Sequence, residues 1–509
     1  MSGSAAPTVE LDGPRRALIT VSVMLASIMS SLDTTIANVA LPRIQGSVSA
    51  TQDQMAWVLT SYIVAAAIMT PLSGWLSGQI GRNKVFLYSI AGFTVTSMLC
   101  GVAQSLPQIV LARLLQGLCG AALVPLSQAV LLDINPPARH ARAMAVWVMG
   151  VTVGPIIGPA LGGWLTENYN WRWVFYINVP FGILAFLGIL SFLPEAAIRK
   201  SRFDFFGFTA LSVSIAALQI MLDRGQLKDW FSSTEIWIEA AVAAAAFYLF
   251  VIHMLTTTGP RFVSPGLLKD RNFLTGNVFV FIIGVVLFAT LALLPPLLQD
   301  LLNYPVVTAG LVTAPRGVGT LAAMFIVGRM IGKVDIRLII GTGFALSALA
   351  SWQMTGFDLQ MDSATVVWSG LSQGLGTGFV YVPLTAAAFA TLTPALRNEG
   401  TAIFSLARNV GSSIGISVVN TLLTRNTQIM HSTLGAHVTR YSPVLRAQLP
   451  HGPLSMHTLA ALNATVTEQG SMIAYNNDFK LMMVLSLAAI PLVVLLRKAR
   501  GSVDPVHIE

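Results

Sequence analysis

The chain reads as a long succession of apolar runs separated by short polar breaks. Each run is about the length a helix needs to cross the roughly 30 Å apolar layer of a bilayer. Fourteen such runs fall at about 17–39, 56–77, 85–104, 107–131, 142–164, 173–193, 205–222, 236–256, 273–297, 307–328, 337–355, 364–390, 400–423 and 479–497. Pro and Gly inside several runs do not count against helix, because neighbours in a buried bundle satisfy the freed backbone groups. The pattern predicts an all-α membrane protein with fourteen transmembrane helices.

An even number of spans puts both termini on one side, and the placement of Lys and Arg chooses the side. Nineteen of the thirty lie on the side of the N-terminus, Arg82, Lys84, Arg139 and Arg142 among them. Eight lie on the other side, and Arg113, Arg316 and Arg408 fall inside spans. This bias predicts that both termini face the cytoplasm.

A faint internal repeat is visible. Gly74 to Lys84 (GWLSGQIGRNK) follows the second span, and Gly328 to Arg337 (GRMIGKVDIR) follows the tenth. Each is a short hairpin of glycines and cations, as internal repeats in transporters lead one to expect. The reading divides the chain into a cytoplasmic tail (1–14), a six-helix bundle (15–200), two inserted helices (201–258) and a second six-helix bundle (259–509). Residues 424–478 are expected to form a long outward loop, mostly polar and with room for helices of its own.

Composition narrows the class. Charged residues make up 10% of the chain, against roughly 25% in soluble proteins, and mean hydropathy is +0.70. The first apolar run is too long for a signal-peptide core and is read as a retained span. Both cysteines, Cys100 and Cys119, sit in apolar runs and suggest neither a disulfide framework nor a metal site. The seven histidines lie in loops, at span ends or near the C-terminus, which leaves no axial haem ligands within the membrane. The net charge of +8 follows the loops rather than any nucleic-acid-binding pattern. No GxxxxGK[ST] phosphate loop occurs, so an ion gradient is the expected energy source and no cofactor is expected.

Few ionisable residues lie deep in the runs, and each is a functional candidate because burying it is costly. Asp33 stands nine residues from Pro42, about 14 Å at helical rise. Arg113 stands six residues from Pro107, about 9 Å. The difference is within the reach of an arginine, so the two are candidates for a proton-coupling pair. A helix-end aspartate and a structural arginine remain the plain alternatives. Arg316 and Arg408 are the deep cations of the second half, with snorkelling as the alternative. Gln116, Gln128, Gln373 and Tyr381 are either cavity-lining residues or interhelical hydrogen bonds. One acid against three arginines favours hydrophobic weak acids, amphiphilic anions or neutral compounds as cargo, and leaves the order of proton and cargo binding open. In the fifth span Gly150, Gly154, Gly158 and Gly162 recur every fourth residue, with Pro155 and Pro159 between them. Such a stripe lets another helix approach closely.

Several longer stretches carry a family resemblance: LDTTIANVALP (Leu32 to Pro42), GWLSGQIGRNK, RLLQGLCGAALVPLSQAVL (Arg113 to Leu132), GPIIGPALGGW (Gly154 to Trp164), WRWVFYINVP (Trp171 to Pro180) and LQIMLDRGQLKDWFSS (Leu218 to Ser233). In this order and spacing the chain resembles the fourteen-span drug:proton antiporter branch (EmrB/QacA) of the major facilitator superfamily, and within it the EmrB subgroup. The resemblance implies proton-driven multidrug efflux by alternating access in a bacterial inner membrane. It also implies a periplasmic membrane-fusion adaptor and an outer-membrane channel as partners, and the glycine stripe as the antiporter motif that seals or opens the cavity. The hairpin after the second span departs from the superfamily pattern, because Gly78 stands where an aspartate is usual. Its gate is therefore expected to be weak, although Gly74, Gly81, Arg82 and Lys84 remain. Three rivals stay open: a proton-coupled exporter of one metabolite or fatty acid on the same fold, a multi-pass membrane enzyme, and a passive channel or sensor.

Overall fold

The structure is a computed structural model that describes residues 13–136, 139–195, 198, 202–393, 396–438 and 456–496. The terminal tail up to residue 12, the cations Arg199, Lys200, Arg440, Arg446, Arg497, Lys498 and Arg500, and segment 439–455 lie outside the described residues. So do the side chains of Pro155 and Pro159.

Among the described residues, fourteen long helices overlap the fourteen apolar runs. In chain order they are α1 (Gly13–Val48), α2 (Gln52–Ile80), α3 (Arg82–Val102), α4 (Leu106–Ile134), α5 (His140–Asn168), α6 (Trp173–Phe192) and α7 (Phe205–Arg224). There follow α8 (Thr234–Thr256), α9 (Arg271–Pro296), α10 (Val307–Met330), α11 (Ile336–Met354), α12 (Ser363–Ala390), α13 (Arg397–His437) and α14 (Met456–Leu492). Among the described residues, eleven of these are apolar and long enough to cross a membrane, and α5, α11 and α12 complete the set. The described residues contain no β-strand, only an isolated bridge between Ile331 and Val334.

Polar side chains at the breaks start the next helix by accepting its free N–H groups. Thr51 and Gln54 form a reciprocal capping box at α2, and Asp204 and Asp270 cap α7 and α9. The two hairpins of the sequence repeat turn alike. Gly81 and Gly332, each just before a cation, take φ values of +91° and +87°, a region that side chains with a Cβ disfavour.

Packing repeats with an offset of eight helices. The pairs α1–α5, α2–α4, α3–α4 and α3–α6 recur as α9–α13, α10–α12, α11–α12 and α11–α14. Helices α7 and α8 pack on each other, and α7 bridges α2 and α13. The first six helices meet the last six through α2 and α4 against α13, and through α5 against α10 and α12.

Within the segment 424–478, expected as an outward loop with room for helices, the described residues form two helical legs. Helix α13 runs on to His437, and α14 begins at Met456 rather than near residue 479. Hydropathy ends a span where apolar residues give out, but a helix ends only at a breaker, and nothing from Thr424 to Ser432 breaks this one. The legs extend about 20 Å beyond residue 423 at helical rise. They lean on each other: His431 Nε2 lies 3.0 Å from Asn463 Oδ1, and a Cβ on Gly470 would lie 3.2 Å from the His431 nitrogen.

Candidate functional site

Asp33 on α1 is fully buried, and both of its carboxylate oxygens are occupied. Arg113 NH1 donates to Oδ2 at 2.7 Å, while Gln116 Nε2 and Asn178 Nδ2 donate to Oδ1 at 2.9 and 2.8 Å. Arg113 and Gln116 stand three apart on α4, so one helix face presents both. Arg113 also donates to Gln116 Oε1 at 2.7 Å and, through Nε, to the Val58 carbonyl of α2 at 3.2 Å. Its guanidinium lies 4.3 Å from the centre of the Tyr62 ring. On α6, Asn178 also donates to Ser97 Oγ of α3 at 3.0 Å, and Ser97 donates to the Phe175 carbonyl at 2.9 Å. Helices α1, α4 and α6 thus meet at one buried carboxylate, and α2 and α3 hold its donors. Breaking such a pair on one side costs about 3–5 kcal/mol, because the other charge is left uncompensated.

The glycine stripe packs against the helix that carries Asp33, along its Met24, Ser31 and Thr35 side. A Cβ on Gly154 would lie 2.6 Å from the Leu32 nitrogen and the Ser31 carbonyl carbon. One on Gly162 would lie 2.7 Å from Ile36 Cγ1, and Gly150 and Gly158 abut Met24 and Thr35. Ser31 Oγ donates to the Val151 carbonyl at 2.6 Å, and Thr35 Oγ1 to the Gly154 carbonyl at 3.2 Å. The helix that carries Asp33 therefore runs backbone to backbone along α5, which is continuous from His140 to Asn168. The repeat-related pair does the same, with Gly411 and Gly415 of α13 set against Phe281 and Val285 of α9.

The corresponding centre in the last six helices has the opposite charge. Arg316 donates to Gln373 Oε1, and Gln373 Nε2 donates to Thr290 Oγ1 at 2.9 Å. Thr290 on α9 and Gln373 on α12 sit on the repeat partners of α1 and α4, so Thr290 stands on the counterpart of the helix that carries Asp33. Arg316 is 4% exposed and no carboxylate among the described residues pairs with it. It follows a break in α10 at Ala314, where the Gly317 nitrogen bonds the Ala314 carbonyl at 2.9 Å. A small cavity beside Gln373, lined also by Ile283, Leu287, Phe344 and Ser486, measures about 20 Å³, room for about one water. Arg408 donates to the Tyr381 hydroxyl at 3.3 Å and to Asn409 Oδ1 at 3.4 Å, leaving its buried Nε without a partner. Tyr381 stacks on Trp147 of α5, ring centres 6.0 Å apart, across the boundary between the two sets of six. Gln128 is fully buried with neither amide atom paired.

On the face where α1 begins, called here the inner face, contacts tie the first six helices to the last six. Asp133 at the end of α4 binds Arg82 through Oδ2 and Arg397 of α13 through Oδ1 at 2.7 Å. A Cβ on Gly74 would lie 3.0 Å from the Glu399 Cα, and Glu399 in turn accepts from the Ser264 hydroxyl at 2.6 Å. The hairpin, with Gly78 where an aspartate is usual, thus pairs its Arg82 with Asp133 of α4. Lys84 is exposed and takes no part.

Sequence reasoning missed Asn178, Tyr62 and Ser97 around Asp33. Asn178 had a signal, an amide within the apolar WRWVFYINVP stretch; Tyr62 and Ser97 had none. It also set the deep carboxylates of the second half at zero, because Asp478 was counted as loop. Asp478 lies in α14 and is 1% exposed.

The pattern of the Major Facilitator Superfamily matches residues 23–416. The chain is 37% identical over 489 residues to the fatty acid resistance protein FarB of Neisseria gonorrhoeae, covering 95% of this chain and 96% of that one. It is 36% identical over 476 residues to the multidrug export protein EmrB of Escherichia coli K12, covering 92% and 93%. Among solved structures, the human organic anion transporter MFSD10 superposes with a TM-score of 0.59 at 15% identity, over 93% of this chain and 100% of that one. A bacterial homologue of the human lysosomal transporter Spinster, inward-facing, gives 0.56 at 15% identity, over 96% and 100%.

Proposed function

The chain belongs to the major facilitator superfamily, and from that premise we propose that it is a proton-driven exporter of hydrophobic and weakly acidic compounds. The single observation that carries this reading is Asp33, buried and held by Arg113 on the helix that the glycine stripe grips. An acid so placed changes the protein most when it takes up a proton. Protonation removes the charge that Arg113, Gln116 and Asn178 converge upon and leaves Arg113 without its counter-ion. The cost of that uncompensated charge favours a different packing of α1 against α4, α5 and α6. Since α5 also carries contacts to α10 and α12, a shift there moves one set of six helices against the other. Opening the inner face then requires Asp133 to release Arg397.

The charge of the second centre supports an acidic cargo. Arg316 is a buried cation whose partners are neutral, Gln373 and, through it, Thr290. A carboxylate or phenolate brought in by cargo would supply the missing anion, in a surrounding of apolar side chains that suits a hydrocarbon body. The names of the relatives, fatty acid resistance and multidrug export, agree with amphiphilic cargo. By the same relationship the protein works in a bacterial inner membrane with both termini cytoplasmic. Its helical hairpin α13–α14 then projects outward, where a membrane-fusion adaptor leading to an outer-membrane channel would dock. Proteoliposomes with an imposed pH gradient test the proposal: purified protein should drive weak acids uphill only while the gradient lasts.

A further inference from the structure

Asp478 lies on α14, 1% exposed, with neither carboxylate oxygen hydrogen-bonded in the structure. No Lys, Arg or His among the described residues forms an ion pair with it. Its neighbours along the helix, Tyr475, Phe479 and Met482, are buried in an apolar cluster with Leu297, Leu298, Met354 and Phe357. This is the reverse of Asp33, whose oxygens receive three donors. Such a placement disfavours the charged carboxylate, since an unpaired ion in an apolar interior costs several kcal/mol. Among the described residues no group of three acids, histidines or cysteines is placed to hold a metal ion instead.

A groove lies one helical turn from it on α14. It measures about 310 Å³ and opens at the base of the helical hairpin, lined by Leu423, Thr424, Thr427, Gln428, Ser471 and Tyr475. Tyr475, which lines the groove, is three residues, about 4.5 Å of helix rise, from Asp478 on the same helix. Asp300 is exposed on the π-turn Leu297–Leu301, which packs against α14. Such π-turns are frequent at functional sites. Lys480, the nearest cation along the helix, points away and is exposed.

We propose that Asp478 is a second proton-binding carboxylate, loaded from the outer face through the groove at the base of the hairpin by way of Tyr475. It is protonated in this conformation, whereas Asp33 is the paired acid. The transport cycle then handles a proton in each set of six helices. This deepens the proton-driven reading and rests on it, but its test does not depend on transport. Infrared difference spectra of the full-length protein in liposomes, recorded as external pH is raised, should show loss of the carbonyl band of a protonated carboxyl group. That band should be absent in Asp478→Asn, persist in Asp33→Asn, and move in frequency rather than vanish in Asp478→Glu. In Tyr475→Phe it should respond to external pH more slowly. Counted in proteoliposomes, the proton-to-cargo ratio of Asp478→Asn should fall by one. A band that survives in Asp478→Asn, or an unchanged ratio, overturns the proposal. Uphill transport by Asp33→Asn would sink the proton-driven reading and leave the Asp478 band where it is.

Discussion

The backbone nitrogen of Leu32 lies 2.6 Å from where a Cβ on Gly154 would stand. The neighbour is backbone, not the end of a flexible side chain, so the clash cannot be relieved by a rotamer change. It lies one residue from Asp33, and any shift that relieves it displaces the site. Gly154→Ala should therefore abolish transport and destabilise by about 1–3 kcal/mol, the usual range for overpacking. Gly162→Ala meets Ile36 Cγ1 at 2.7 Å and backbone only at 3.2 Å, the Ile36 carbonyl oxygen, and should cost less than Gly154→Ala. Thermal unfolding in detergent and uptake into vesicles check the order of the two; equal effects would break the link between the stripe and Asp33.

Asn178 should prove a positioning residue. Asn178→Leu removes one of three donors to Asp33 and leaves Ser97 without that partner. The expected loss is about 1–3 kcal/mol of stability, with a changed dependence of transport on pH. Asn178→Asp puts a second acid beside the first and should be worse. A pH profile identical to wild type in Asn178→Leu would make the amide merely structural.

At the inner face, Asp133→Asn frees Arg397 and weakens the tie between α4 and α13. The equilibrium should move toward an inward-open state. Labelling of single cysteines placed near Trp147 by a reagent added to the inner face should speed up several-fold. No change in labelling would show that the glycine contact at Gly74 alone ties that face together.

Arg316→Gln should weaken export of weak acids at least tenfold while sparing neutral compounds, since only an anion uses the guanidinium charge. Arg316→Lys should recover part of the loss. Efflux of a matched acid and its methyl ester is the comparison. If both fall alike, Arg316 serves the fold and not the cargo. If quaternary cations are the best substrates, the charge argument fails altogether.

Deleting one helical turn-pair from each leg of the hairpin beyond residue 424 should stop efflux across the whole envelope while vesicle transport continues. Survival of both would place adaptor docking elsewhere.

Hydropathy made the span count and the pair Asp33 and Arg113 legible, because an ion in an apolar run stands out against its neighbours. It could not show Tyr62 or Ser97, whose types are ordinary in any helix and acquire meaning only when α2 and α3 are set beside α4. The hairpin was hidden for another reason. The measure that finds a span detects the membrane and not the helix, so α13 and α14 were cut where their residues turned polar. That cut put Asp478 in a loop. The ion pairs of Asp133 escaped because its partners, Arg82 and Arg397, are 51 and 264 residues away in the chain.

The measurement that bears most directly on the account is uphill transport by Asp33→Asn in proteoliposomes under an imposed pH gradient. Asparagine keeps the size and can still bond Gln116 and Asn178, but it cannot carry a proton. The account predicts normal membrane insertion, retained downhill movement of cargo, and no accumulation against a concentration gradient. Accumulation at the wild-type level by Asp33→Asn would contradict it.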